Sequence, residues 1–194
     1  MGRKRSGLEG TAFEPPFYTP TIGSHAYKIP EDDETELLEI YTKLTQEKPD
    51  IEVDDLAGIL ENEFRMPVEL VPSTQELHSW AIEGTNVVDF EKWLYNGYFW
   101  LLLNKHIDDV DMLWQDVWAA LDPVTSKNGG EQVQRDKDAL RSQRLYLSDV
   151  KKLIEVGKLD ANAVSMLQTA GNGKVYIGYV DFFILLGRLG VFKA

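Results

Sequence analysis

The sequence predicts an all-α fold of two lobes, in which helix–loop–helix units pair through short β links. The first observation is a rhythm that occurs twice. Gly171-Asn172-Gly173-Lys174-Val175-Tyr176-Ile177-Gly178-Tyr179-Val180-Asp181-Phe182-Phe183 joins a glycine-rich turn, a β-prone triplet, an acidic residue and an aromatic pair at the head of an apolar run. Gly84-Thr85-Asn86-Val87-Val88-Asp89-Phe90-Glu91-Lys92-Trp93 follows the same order. Glycine and Asn suit the tight loop because positive φ costs them little, and Asp suits the positive end of a helix dipole. The second observation is helical spacing of apolar residues over much of 31–194. The third is the proline-free run from Phe90 to Leu121, roughly 50 Å of helix at about 1.5 Å per residue if unbroken.

In chain order, residues 1–30 hold four of the eight prolines, Pro15, Pro16, Pro20 and Pro30, and read as an extended arm. Glu31-Asp32-Asp33-Glu34 suits the start of a first helix, with Leu37, Tyr41 and Leu44 on one face. Pro49-Asp50 ends it, Ile51 is a β position, and Asp54-Asp55 opens a second helix carrying Leu56, Ile59, Leu60 and Phe64. Ser73 or Thr74 caps a third helix with Glu76 near its start; Leu77, Trp80 and Ala81 form its apolar side. A fourth helix begins at Asp89 or Phe90. Asn104-Lys105-His106 interrupts its apolar pattern and Asp108-Asp109 resembles a fresh N-terminus, so the lobe boundary is expected there. The N-terminal lobe is then 31–104 and the C-terminal lobe 105–194. Tyr98 to Leu103 and much of Met112 to Leu121 are apolar all round, as in a helix that is buried or covered by a partner. Residues 123–144 are polar and read as an insertion, dispensable for folding, with room for a short helix between Asp136 and Gln143. Tyr146-Leu147 supplies the next β position and Ser148 caps a helix with Val150, Leu153, Ile154 and Val156. Asn162 to Thr169 is the penultimate helix, and the last begins at Asp181.

Helix, loop, β residue, acidic residue, helix is the rhythm of an EF-hand. Such a loop holds calcium with oxygen ligands at its first, third, fifth, seventh and ninth positions and a bidentate Glu at the twelfth. With the β hydrophobe at the eighth position, the loops run Leu44 to Asp55, Ala81 to Lys92 and Ala170 to Asp181. Leu44, Ala81 and Ala170 stand at the first position, Lys48 and Lys174 at the fifth, and Lys92 at the twelfth. Apolar side chains donate no oxygen and an ammonium repels a dication, so the frame is expected without its calcium chemistry, with no metal and no cofactor.

Composition narrows the function further. Net charge is −12, which disfavours direct nucleic-acid binding and favours basic partner segments. There is no cysteine, so disulfides and thiolate zinc sites are excluded. No apolar run approaches the roughly 20 residues of a membrane span. His25, His78 and His106 lack metal-ligand spacing, and no Ser-His-Asp order, HExxH or P-loop is present. The expectation is a protein that is not an enzyme.

Residues 31–194 resemble the calmodulin–centrin superfamily in general pattern. Two segments are more specific: Ile82 through Phe90, and Gly173-Lys174 through Tyr179-Val180-Asp181-Phe182, ending Leu186-Gly187-Arg188-Leu189-Gly190. Both resemble the fungal centrin-like subunit of the nucleotide excision repair damage-recognition complex. That resemblance implies a nuclear DNA-repair adaptor subunit that binds the fungal counterpart of the xeroderma pigmentosum group C protein. The alternative is a centrin-like cytoskeletal or light-chain structural protein. Helix-in-groove recognition would suit an amphipathic partner helix. The C-terminal lobe is favoured for the groove, because Arg188 is the one charged residue between Phe182 and Val191. The expected partner-binding residues are Leu113, Trp114, Val117, Trp118, Leu121, Leu153, Met166, Phe182, Leu185, Leu186 and Leu189.

Overall fold

The computed structural model describes residues 29–46, 48–121, 137–171, 173–189 and 191–192. The arm as far as residue 28 and the first part of the insertion, 122–136, lie outside the described residues, as do Asn172 and Gly190. The described chain is mostly helical, with one two-stranded sheet.

Helix α1, Glu31–Thr45, opens on the acidic run and buries Leu37. A 3-10 turn, Val53–Asp55, leads into α2, Leu56–Asn62. A second 3-10 turn, Val68–Leu70, precedes α3, Thr74–Leu77, and a third, His78–Trp80, follows it. Ser73 and Glu76 form the reciprocal cap that the sequence suggests. The Ser73 N–H donates to Glu76 Oε2 at 2.9 Å and the Glu76 N–H donates to Ser73 Oγ at 3.4 Å.

Helix α4, Phe90–Leu121, is 32 residues long and passes through Asn104-Lys105-His106 without a break. Within the triplet, Lys105 links this helix to another. Lys105 pairs with Asp33 and, at 3.4 Å, with Glu36, both on α1. Asp108 and Asp111 likewise face a later segment and do not start a new helix: both accept from Lys137 at 3.2 Å.

The loops meet through short antiparallel links. The Val88 N–H donates to the Ile51 carbonyl at 2.8 Å and the Val53 N–H to the Asn86 carbonyl at 2.9 Å. In the other half, β1, Leu145–Tyr146, pairs with β2, Tyr176–Ile177, setting Leu145 opposite Ile177. The pairing lies one residue before the expected Tyr146-Leu147. The reason is burial: Leu145 and Ile177 are both buried, whereas Tyr146 turns out toward Tyr176. Helix α6, Leu147–Gly157, therefore starts before Ser148, and its cap is the Asp149 carboxylate, which accepts the Tyr146 N–H at 2.9 Å. Helix α7 is Ala163–Ala170, with Asn162 Oδ1 accepting from Val164 and Ser165. Helix α8, Tyr179–Arg188, repeats the first-turn device: Asp181 accepts the Gly178 N–H at 3.0 Å.

The described end of the polar insertion belongs to the core. Helix α5, Lys137–Arg141, buries Leu140, whose carbonyl accepts the Trp114 indole N–H at 2.8 Å. Its polar composition hid this, because one leucine and one carbonyl carry the docking. Buried side chains form one continuous cluster along α4. Trp93 packs with Phe64 and Tyr41 at one end, Phe99 with Phe183 in the middle, and Trp114 with Phe182 at the other.

Candidate partner-binding face

The distal part of α4 shows where covering stops. Its upstream residues Phe99 to Leu103 are all buried, as a helix apolar on every side requires. Beyond Trp114 the helix is apolar apart from Gln115 and Asp116, and it is only partly covered by the described residues. Val117, Trp118, Ala119, Ala120 and Leu121 are each half-buried, as is Leu113 just before. Helices α6 and α8 both contact α4, and α7 contacts α6 and α8. These four helices make the frame in which the expected binding residues sit.

The structure divides those residues. Trp114, Phe182 and Leu186 are buried, and Trp114 is enclosed by the Phe182 ring at 5.0 Å and the Tyr179 ring at 6.1 Å. These three act as support beneath any partner contact. Leu113, Val117, Trp118 and Leu121 on α4, Leu153 on α6 and Leu185 on α8 are half-buried. Met166 on α7 is exposed, and Leu189, just past α8, is 69% exposed. Further exposed apolar residues on or beside these elements were not among the expected binding residues: Met112, Val156, Leu159, Val164 and Val191.

A second feature is a polar cluster that ties the two halves together. Arg141 donates to both carboxylate oxygens of Asp111, at 2.8 and 2.6 Å, and to Glu69 at 3.1 Å. The Tyr179 hydroxyl donates to Asp111 at 2.7 Å. Burial alone would raise the Asp111 pKa, but the bonds from Arg141 and Tyr179 outweigh it and hold the carboxyl below its ordinary value. Burial, then the bond to Asp111, pushes the Tyr179 phenol up. Burial opposes the charge on Arg141, yet Asp111 and Glu69 prevail and its pKa is raised. The cluster borders a cleft of about 760 Å³ between Leu70, Pro72 and Trp80 on one side and Tyr176 and Ile184 on the other. Among the described residues no group of three or more His, Cys, Asp or Glu is placed to hold a metal ion, and no helix is long and apolar enough to cross a membrane.

Fold and surface thus define a mostly helical protein of paired loops whose distal α4 face is only partly covered by the described residues. Among known proteins, the DNA repair protein RAD33 of Saccharomyces cerevisiae is 28% identical over 172 residues, which span 86% of this chain and 89% of that relative. No known family profile matches the chain. No solved structure matches it either.

Proposed function

We propose that the protein is a noncatalytic, calcium-independent adaptor subunit of nucleotide excision repair in the nucleus. In this reading it binds an amphipathic helix of a damage-recognition protein of the xeroderma pigmentosum group C type. The fold beneath it is two-lobed and EF-hand-like, of the centrin kind, with degenerate loops. The observation that carries the reading is the half-covered, largely apolar stretch from Leu113 to Leu121, on a helix that α6 and α8 contact, together with half-buried Leu153 and Leu185 and exposed Met166 and Leu189 on or beside the neighbouring helices. Apolar surface gathered on adjoining elements marks an interaction site, whereas scattered single residues would not. The similarity to a DNA repair protein supports the repair context.

Co-purification with the damage-recognition protein of the same organism tests the proposal. Leu121→Glu and Leu189→Glu place charges on surface that is already partly open, so the fold should survive. Each should weaken capture at least about tenfold, or about 1.4 kcal/mol, with the helical signal unchanged. Full affinity in both folded variants would refute the assignment.

A further inference from the structure

The four β anchors, Ile51, Val88, Leu145 and Ile177, meet in pairs, which fixes the loop frames counted from them. In two of these frames a lysine ammonium lies on the twelfth-position carboxylate that a bound cation would use, and in a third a lysine stands at the twelfth position itself and ties it to the first. In the loop Leu44 to Asp55, the fifth-position Lys48 reaches Asp55 Oδ2, at the twelfth position, across 3.2 Å. In the loop Ala81 to Lys92, the twelfth-position Lys92 donates to the first-position Ala81 carbonyl at 2.6 Å. In the loop Ala170 to Asp181, the fifth-position Lys174 approaches both oxygens of the twelfth-position Asp181, at 2.9 and 3.3 Å. The loop between α5 and α6 is different: α5 fills its first half, and its twelfth-position Asp149 caps α6.

We propose that Lys48, Lys92 and Lys174 serve as built-in cations that close their loops in place of a divalent ion. The strongest case is Lys174. The Asp181 side chain is only 5% exposed, and a buried carboxylate needs a charged partner. A divalent ion would be gripped by both oxygens of the twelfth-position carboxylate, and Lys174 is placed against the same two oxygens. Lys48 and Asp55 are more open to solvent, so that pair is the weakest of the three. What argues against unrelated surface pairs is recurrence, because each ammonium links loop positions that are remote in sequence but adjacent around a cation. The consequence is regulatory. Loop closure is set permanently by the sequence, so the state of the lobe does not follow ion concentration. This inference rests on the calcium-independent reading above. Its experiment uses the free chain, so the outcome does not depend on partner binding.

The test has two arms. Lys174→Met keeps much of the side chain and removes the charge. Amide hydrogen exchange at residues 173–178 should quicken at least tenfold, with the distant Ile51–Val88 link unaffected. The second arm restores ligands: the double variant Ala170→Asp, Lys174→Asp puts carboxylates at the first, fifth and twelfth positions. It should melt lower than the native chain without calcium and recover with millimolar calcium, the range of weak natural loops. Magnesium should be less effective, and the native chain should respond to neither ion. Unchanged exchange in Lys174→Met would overturn the proposal. So would a double variant that gains nothing from millimolar calcium, whether or not it folds without the ion.

Discussion

Arg141 shows how much one residue can hold. Its partners lie 30 and 72 positions away in sequence, and no local pattern could have paired them. Arg141→Met leaves the buried Asp111 carboxylate without its main counter-charge, and breaking such a pair costs about 3–5 kcal/mol. Chemical denaturation should show that loss, with Arg141→Lys retaining part of it because lysine cannot reproduce the two-pronged contact. The pH dependence follows from the same group. The Asp111 pKa is depressed in the folded state, so its contribution is full above the unfolded value of about 3.9 and fades as pH falls through the folded one. Tyr179 is raised, so its contribution is full below about 10 and fades above. The contribution of this cluster should be flat between these limits, and Asp111→Asn should flatten the acid limb. A steep acid limb persisting in Asp111→Asn would assign it to other carboxylates. At the last loop the glycines expected from the sequence serve two different needs. Gly173 has φ +81°. Gly171 is needed for space, because a Cβ there would lie 2.6 Å from the Tyr176 carbonyl and 2.8 Å from that of Leu167.

At the scale of elements, helix bounds and caps were largely legible because each is set by neighbours in sequence. The acidic start of α1, the Ser73 cap of α3 and the proline-free length of α4 are examples. What stayed hidden was any feature set by a distant contact. The polar triplet within α4 read as a break because its partners, Asp33 and Glu36, lie on another helix. Asn104→Pro would impose the missing break and should cost about 3 kcal/mol or more. The short helix expected between Asp136 and Gln143 is present as α5, but its docking on the core was hidden, since one buried leucine leaves no periodic signal. Leu140→Ala should destabilise by about 2–5 kcal/mol. Replacing 137–143 with a Gly/Ser linker should lower the melting temperature further, because it also removes Arg141. A linker variant that melts like the native chain would show that α5 is only a surface turn.

For the whole molecule, net charge and apolar surface point to the same kind of partner. A chain of net charge −12 with an open apolar helix face suits a helix that is apolar on one side and basic on the other. Of the candidate site, the segment was legible in the sequence and the division of labour was not. A largely apolar stretch such as Met112 to Leu121 signals that cover is needed. It does not say which side the chain covers itself, and here Trp114 is enclosed while Trp118 and Leu121 remain half-open. The most direct measurement is amide hydrogen exchange of the full chain, alone and in complex with the proposed damage-recognition partner. Protection on binding should concentrate at 113–121, with weaker gains around Leu153, Met166 and Leu185. Gains confined to α1 to α3, with 113–121 unchanged, would contradict the account.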